Sequence, residues 1–153
     1  MKVIIFLLLL VSGLPESAQM NQVRHNFHHI ETENELDDFI ALCDTLSLEK
    51  AIPYHASAIM RKAEFVFMPG SKLKYFKQGR NMLEGYIKNY PLNVEARYVR
   101  LVVQSRVPEF LGYHTNFDDD LAFVQEKLPD VDLPESYKQL MQQSIREVTK
   151  TKK

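Results

Sequence analysis

An all-α fold is what this 153-residue sequence predicts. Apolar residues recur at three- and four-residue steps through most of the chain, the segments with that period are separated by short breaks containing Pro or Gly, and no segment alternates between hairpin turns as a half-buried strand would. Loops this short make consecutive helices neighbours, so the expected architecture is about six helices packed as antiparallel hairpins. Either a tetratricopeptide-like stack or an irregular helical bundle would satisfy it. A hydrophobic content of 45% and a charged content of 25% belong to an ordinary globular chain. The formal net charge of −1 supplies no excess to recommend nucleic acid or an anionic membrane as the partner.

The chain opens with "MKVIIFLLLLVSGLPESAQ": one Lys, an unbroken apolar run from Val3 to Val11, a Gly/Pro break and small residues. That is the layout of a secretory signal peptide. The run is too short for the roughly 20 residues that cross a bilayer, so no stable span is expected after cleavage. Residues 1–18 are therefore read as a signal peptide cut after Ala18, although Glu16 is unusual at the minus-three position. Residues 19–33, "QMNQVRHNFHHIETE", are polar and without period and read as a flexible leader. A single helical domain is expected over 34–149, followed by a basic tail over 150–153.

Leu36, Phe39, Ile40, Cys43 and Leu46 place the first helix over 35–48, with Asn34 as its cap. Cys43 is the only cysteine, which rules out an intramolecular disulfide and leaves stability to packing. Its apolar neighbours and the adjacent Asp44 make it a small buried hydrophobe and not a nucleophile. The second helix starts at Pro53 and runs to Phe67, with Ala56, Ile59, Ala63 and Val66 as its inner stripe. Its alanines would admit a close neighbour. Ser71 caps the third helix, which Pro91 ends. Gly79 within it costs helix propensity, which close approach of another backbone would offset; Gly85 would do the same or only weaken the helix. The fourth helix runs from the Asn93 cap to Arg106, the fifth from Asn116 to Leu128, and the sixth opens at Pro134.

Residues 60–93 resemble one tetratricopeptide unit when Pro91 is laid on the repeat's proline, with Gly79 on the small position and Leu83 on the bulky one. Phe67 and Tyr86 fall where the repeat wants Gly and Ala, so the motif is not met. The longer run "PYHASAIMRKAEFVFMPGSKLKYFKQGRNMLEGYIKNYPLNVEARYVRLVVQSRVPEFLGY", followed by "FDDDLAFV", resembles a family of small exported all-helical proteins of the Bacteroidetes group, a family without an assigned activity. The resemblance implies a periplasmic or envelope location and a compact helical domain. It implies no catalytic residue.

The fourth helix is apolar nearly all round yet carries Arg97, Arg100 and Gln104 on one line. The expected reading is structural: a solvated stripe, or guanidinium groups between helices holding Glu64, Glu84 or Glu95. The functional reading gives them a ligand's carboxylate or phosphate. His25, His28 and His29 could in principle bind a transition metal, but they lack closed-site spacing and rigid support, so no metal is expected. Lone His55 and His114 read as structural. Asp118, Asp119 and Asp120 suit the first turn of a helix and lack calcium-loop spacing. Gly112 would supply an unusual backbone angle in the preceding bend.

No hydrolase, zincin, phosphate-loop or zinc motif is present, so an enzyme is the less expected class and no cofactor is called for. The expectation is a protein- or peptide-binding module of the periplasm or envelope. Tyr54, Tyr75, Tyr86, Arg97, Tyr98, Arg100, Gln104 and Tyr113 are its candidate contacts, since Tyr and Arg are rich at interface hot spots. The alternative is a small-ligand or hydrolase-like site built from His55, Arg97, Arg100 and Asp118 to Asp120.

Overall fold

The computed structural model describes residues 13–151, and every regular element among them is helical. The apolar run Val3 to Val11 lies outside the described residues, and the expected signal peptide with it as far as residue 12. Seven α-helices follow in order: α1 (Glu16–Phe27), α2 (Glu33–Leu46), α3 (Ile52–Arg61), α4 (Pro69–Asn89), α5 (Val94–Arg106), α6 (Phe117–Lys127) and α7 (Glu135–Thr151). Short 3-10 turns stand at Glu49–Ala51, Lys62–Glu64 and Glu109–Leu111. The chain divides into two compact units, Met1–Glu84 and Gly85–Lys153, where the sequence predicts one domain. No helix of the described residues is long and apolar enough to cross a membrane.

In the first unit α1, α2 and α3 pack on one another. Helix α1 occupies most of the stretch that the sequence reads as a flexible leader. Met20, Val23 and Phe27 stand three and four residues apart, and Met20 and Val23 are buried. The ring of Phe27 meets Tyr54 edge-on at 5.1 Å. The expected cleavage point after Ala18 falls inside this helix, beside Gln19, whose Nε2 donates to the Leu14 carbonyl at 2.7 Å. At the far end of the chain α7 runs to Thr151, so the expected basic tail begins inside a helix.

Helix α2 opens on a capping box formed by Thr32 and Glu35, not on Asn34. The Glu35 amide donates to Thr32 Oγ1 at 3.3 Å, and Glu35 Oε2 accepts from the backbone N–H of Thr32 at 2.8 Å and of Glu31 at 2.9 Å. Those donors hold the Glu35 carboxyl below its ordinary value. Ser47 closes α2 in the left-handed region, at φ 49°.

Helix α3 ends at Arg61, earlier than the stripe over 53–67 predicts, and the chain turns through 65–68 before α4. The window 60–93 thus contains one complete helix instead of the two that a tetratricopeptide unit requires. Helix α4 begins two residues before Ser71, which lies in its first turn. Gly79 explains how α4 fits its neighbour. A Cβ there would overlap the Ala56 carbonyl oxygen and stand 2.8 Å from the Met60 backbone nitrogen. Around Gly85 nothing lies within 4 Å, so that glycine serves no close approach.

In the second unit α5 is the central helix and packs on both α6 and α7. Asn93 caps it as the sequence predicts, its Oδ1 accepting from the Ala96 amide at 2.8 Å. Val94, Ala96, Tyr98, Val99, Leu101, Val102 and Val103 are all buried, which accounts for its nearly all-round apolar character. Gly112 follows the 3-10 turn with φ 63°, the left-handed angle expected of it.

Candidate functional site

The line Arg97, Arg100 and Gln104 on α5 converges on one carboxylate, that of Asp120 in the first turns of α6. Asp120 is 0% exposed. Arg100 Nε donates to its Oδ2 at 2.7 Å and the Arg100 terminal nitrogen to its Oδ1 at 2.9 Å, the two-pronged geometry for which a guanidinium is suited. Arg97 Nε donates to the same Oδ1, and Gln104 Nε2 reaches Oδ2 at 3.2 Å. Gln104 also accepts, through Oε1, the Asn116 amide at 3.1 Å, so one side chain satisfies the carboxylate and ties down the start of α6.

Arg97 lies at the edge of this network. Its guanidinium carbon stands 4.5 Å from the centre of the Phe123 ring, and one terminal nitrogen donates to the Pro91 carbonyl at 3.3 Å. The side chain is 17% exposed. Arg100 and Gln104 are buried. Two guanidinium groups and a carboxylamide among the buried valines of this helix are thus what the burial of one carboxylate requires, since a buried charge must be paired and hydrogen-bonded. The carboxylate these three side chains share is Asp120, not one of the glutamates expected from the sequence; Glu64 pairs with Arg61 across one helical turn.

Sequence reasoning explained Asp118, Asp119 and Asp120 together as first-turn charges. The structure separates them: Asp118 and Asp119 are exposed and Asp120 is not. The distinguishing signal is the spacing Phe117, Asp120, Val124, which places Asp120 on the inner face with two buried apolar residues.

Most of the tyrosines named as contacts are core. Tyr54, Tyr86, Tyr98 and Tyr113 are buried, and Tyr75 is half-buried. The Tyr98 hydroxyl bonds to Ser144 of α7, and burial raises its pKa well above the ordinary value. Tyr86 receives a long hydrogen bond from Asn93 Nδ2 at 3.5 Å and packs on Tyr90, ring centres 4.8 Å apart. With four of these rings buried and the fifth half-buried, they offer no exposed contact surface.

His55 belongs to the first unit, where its Nε2 lies 3.5 Å from Asp44, and Arg97, Arg100 and Asp120 belong to the second and engage one another. His25 and His29 stack with ring centres 4.3 Å apart. No group of three metal-binding side chains occurs among the described residues. Cys43 is buried, and desolvation, with Asp44 adding to it, pushes its thiol up to about 12, the opposite of an activated nucleophile.

Compared with protein-family models, curated proteins and solved structures, the chain matches none. What stands established is a small all-helical protein with a charged network buried around Asp120.

Proposed function

We propose that this is an exported, non-enzymatic module that binds a protein or peptide partner in the periplasm or cell envelope. Export is supported by the layout of residues 1–18 and by the resemblance of 53–124 to small exported helical proteins. The partner reading is carried by large apolar side chains left in water. In the second unit Phe110 is 85% and Leu92 76% exposed, both in turns that flank α5. Exposed apolar residues in turns, above a rigid helix, are how a binding surface differs from a packing surface. The contact surface proposed here therefore moves from the buried tyrosines to these turns. The arginine stripe supports it from below: with Arg100 and Gln104 committed to Asp120, α5 is a scaffold and not a ligand clamp.

The test is crosslinking in intact cells followed by recovery of the protein from envelope fractions, comparing the wild type with the double variant Leu92→Ser, Phe110→Ser. Both positions are exposed, so the variant should melt as the wild type does. Capture of the same discrete partner by the wild type and its loss from the variant is the expected result. Equal capture by both, or recovery only from the cytoplasm with residues 1–18 intact, would overturn the reading.

A further inference from the structure

The turn between α3 and α4 has a character that the overall charge conceals. From Arg61 to Arg80 six cations stand against one carboxylate, Glu64, in a chain whose formal net charge is −1. Phe67 at the tip of this turn is 95% exposed and Met68 63%. Pro69 and Gly70 follow, both exposed, and Leu73 in the first turns of α4 is another exposed apolar residue. Lys72, Lys74 and Lys77 are exposed and make no ion pair among the described residues. The acids Glu33 and Asp37 of α2 are met by Lys62 at the base of the turn.

We infer that this turn docks the protein peripherally on an anionic lipid bilayer, Phe67 and Met68 entering the headgroup region and Lys72, Lys74 and Lys77 facing the lipid phosphates. The helical rise sets the lysines roughly 4, 7 and 12 Å along the axis from Pro69. At physiological salt the Debye length is about 8 Å, so the attraction to the surface charge weakens along the helix from Lys72 through Lys74 to Lys77. An apolar tip ringed by lysines is the composition of an interfacial segment. Protein interfaces, by contrast, are depleted in Lys, which favours a bilayer over an acidic protein as the occupant. The tip belongs to the first unit and Leu92 and Phe110 to the second, and different residues carry each reading, so this inference and the partner reading fail independently.

The chain contains no tryptophan, so Phe67→Trp provides a single reporter at the tip. The full chain carrying it is mixed with vesicles of phosphatidylglycerol and phosphatidylcholine, with phosphatidylcholine alone, and with soluble polyglutamate. Expected are a blue shift of the indole emission and its quenching by brominated acyl chains on the anionic vesicles. Partitioning should fall at least tenfold on adding Lys72→Glu, Lys74→Glu and Lys77→Glu together, all at exposed positions, or in high salt. A water-like indole on anionic vesicles overturns the inference. So does an equal shift on phosphatidylcholine, which would mean that the tip enters a bilayer without the lysines, or an equal shift with polyglutamate, which would assign the turn to an acidic polymer.

Discussion

In residues 13–84 Lys62 meets Asp37 and Glu33, Arg61 meets Glu64, and Lys50 meets Glu16, in each of these pairs with a carboxylate more than half exposed. Residues 85–151 place a carboxylate at the centre and surround it with three donors from one helix. The interior of the first unit is settled by shape, with a glycine against a backbone carbonyl; that of the second is settled by charge. A rim pair exchanges its partner for water at little cost, whereas a central pair has no water to fall back on. Two units of one chain thus reach order by routes that should respond differently to the same kind of substitution.

The largest expected effect follows from that contrast. Asp120→Ala leaves the Arg100 guanidinium buried beside a lost partner and should destabilise the second unit by about 3–5 kcal/mol. Arg100→Ala should come close to it. Arg97→Ala should cost less, because its side chain is partly in water. Lys50→Ala, which breaks the exposed pair with Glu16 in the first unit, should cost about 0–1 kcal/mol. Urea titrations of the four variants, followed by a double-mutant cycle on Asp120 and Arg100, measure the order. If Asp120→Ala were no worse than Lys50→Ala, the contrast between the units would collapse.

Next in size is the steric counterpart in the first unit. Gly79→Ala gains about 1 kcal/mol of helix propensity but drives a methyl into the Ala56 carbonyl, a backbone atom that cannot rotate away. Overpacking of this kind costs about 1–3 kcal/mol, so net destabilisation is expected. Gly85→Ala, in the same helix with open space around it, should stabilise by up to about 1 kcal/mol. Thermal melting of the two variants should give shifts of opposite sign. Shifts of the same sign would remove the argument that shape sets the core of the first unit.

The same contrast decides what was legible in the sequence. Shape leaves a periodic trace: the stripes over α2 and α3, the Asn93 cap and the close approach at Gly79 could all be read from residue types and spacing. Charge pairing leaves none, because Arg97, Arg100 and Gln104 announce a partner without naming it, and the partner lies 20 residues beyond Arg100. The "DDD" run obscured it, since a first-turn explanation covered all three aspartates at once. Helix α1 went unread because only Met20, Val23 and Phe27 mark its inner face among polar and histidine residues, too sparse a stripe to stand out. The early end of α3 is tertiary in origin: Arg61 donates to the Ile30 carbonyl at 2.8 Å and Lys62 binds Asp37, contacts that a single-segment pattern does not contain.

Smaller effects belong to the rim of the first unit, where the Thr32 and Glu35 capping box opens α2. Thr32→Ala removes the acceptor for the Glu35 amide and should cost about 0.5–2 kcal/mol, read as a lowered melting temperature. The Asn34 side chain, the cap the sequence suggested, should show no comparable loss when replaced by Ala. An equal loss at both positions would mean that the box does not hold the end of the helix.

The smallest effect separates the charge of Glu35 from its hydrogen bonds. Glutamine also completes a capping box, so Glu35→Gln keeps the geometry and deletes the ionised form. In the folded chain the carboxyl is held below its ordinary value of 4.5 by the Glu31 and Thr32 amides. A group whose folded pKa is depressed contributes stability that is complete above the unfolded value and is lost as pH falls through the folded one. Wild type should therefore exceed Glu35→Gln by a constant margin between pH 6 and 8, on the order of neutrality. The margin should shrink as pH falls below 4.5, and the two curves should merge once the carboxyl is protonated. Because Glu35 is at the surface, added salt should narrow the margin too, whereas the loss caused by Asp120→Ala, set in a water-excluded interior, should hardly change with salt. A margin that grew on acidification would reverse the sign of the linkage and place the stabilising charge elsewhere in α2.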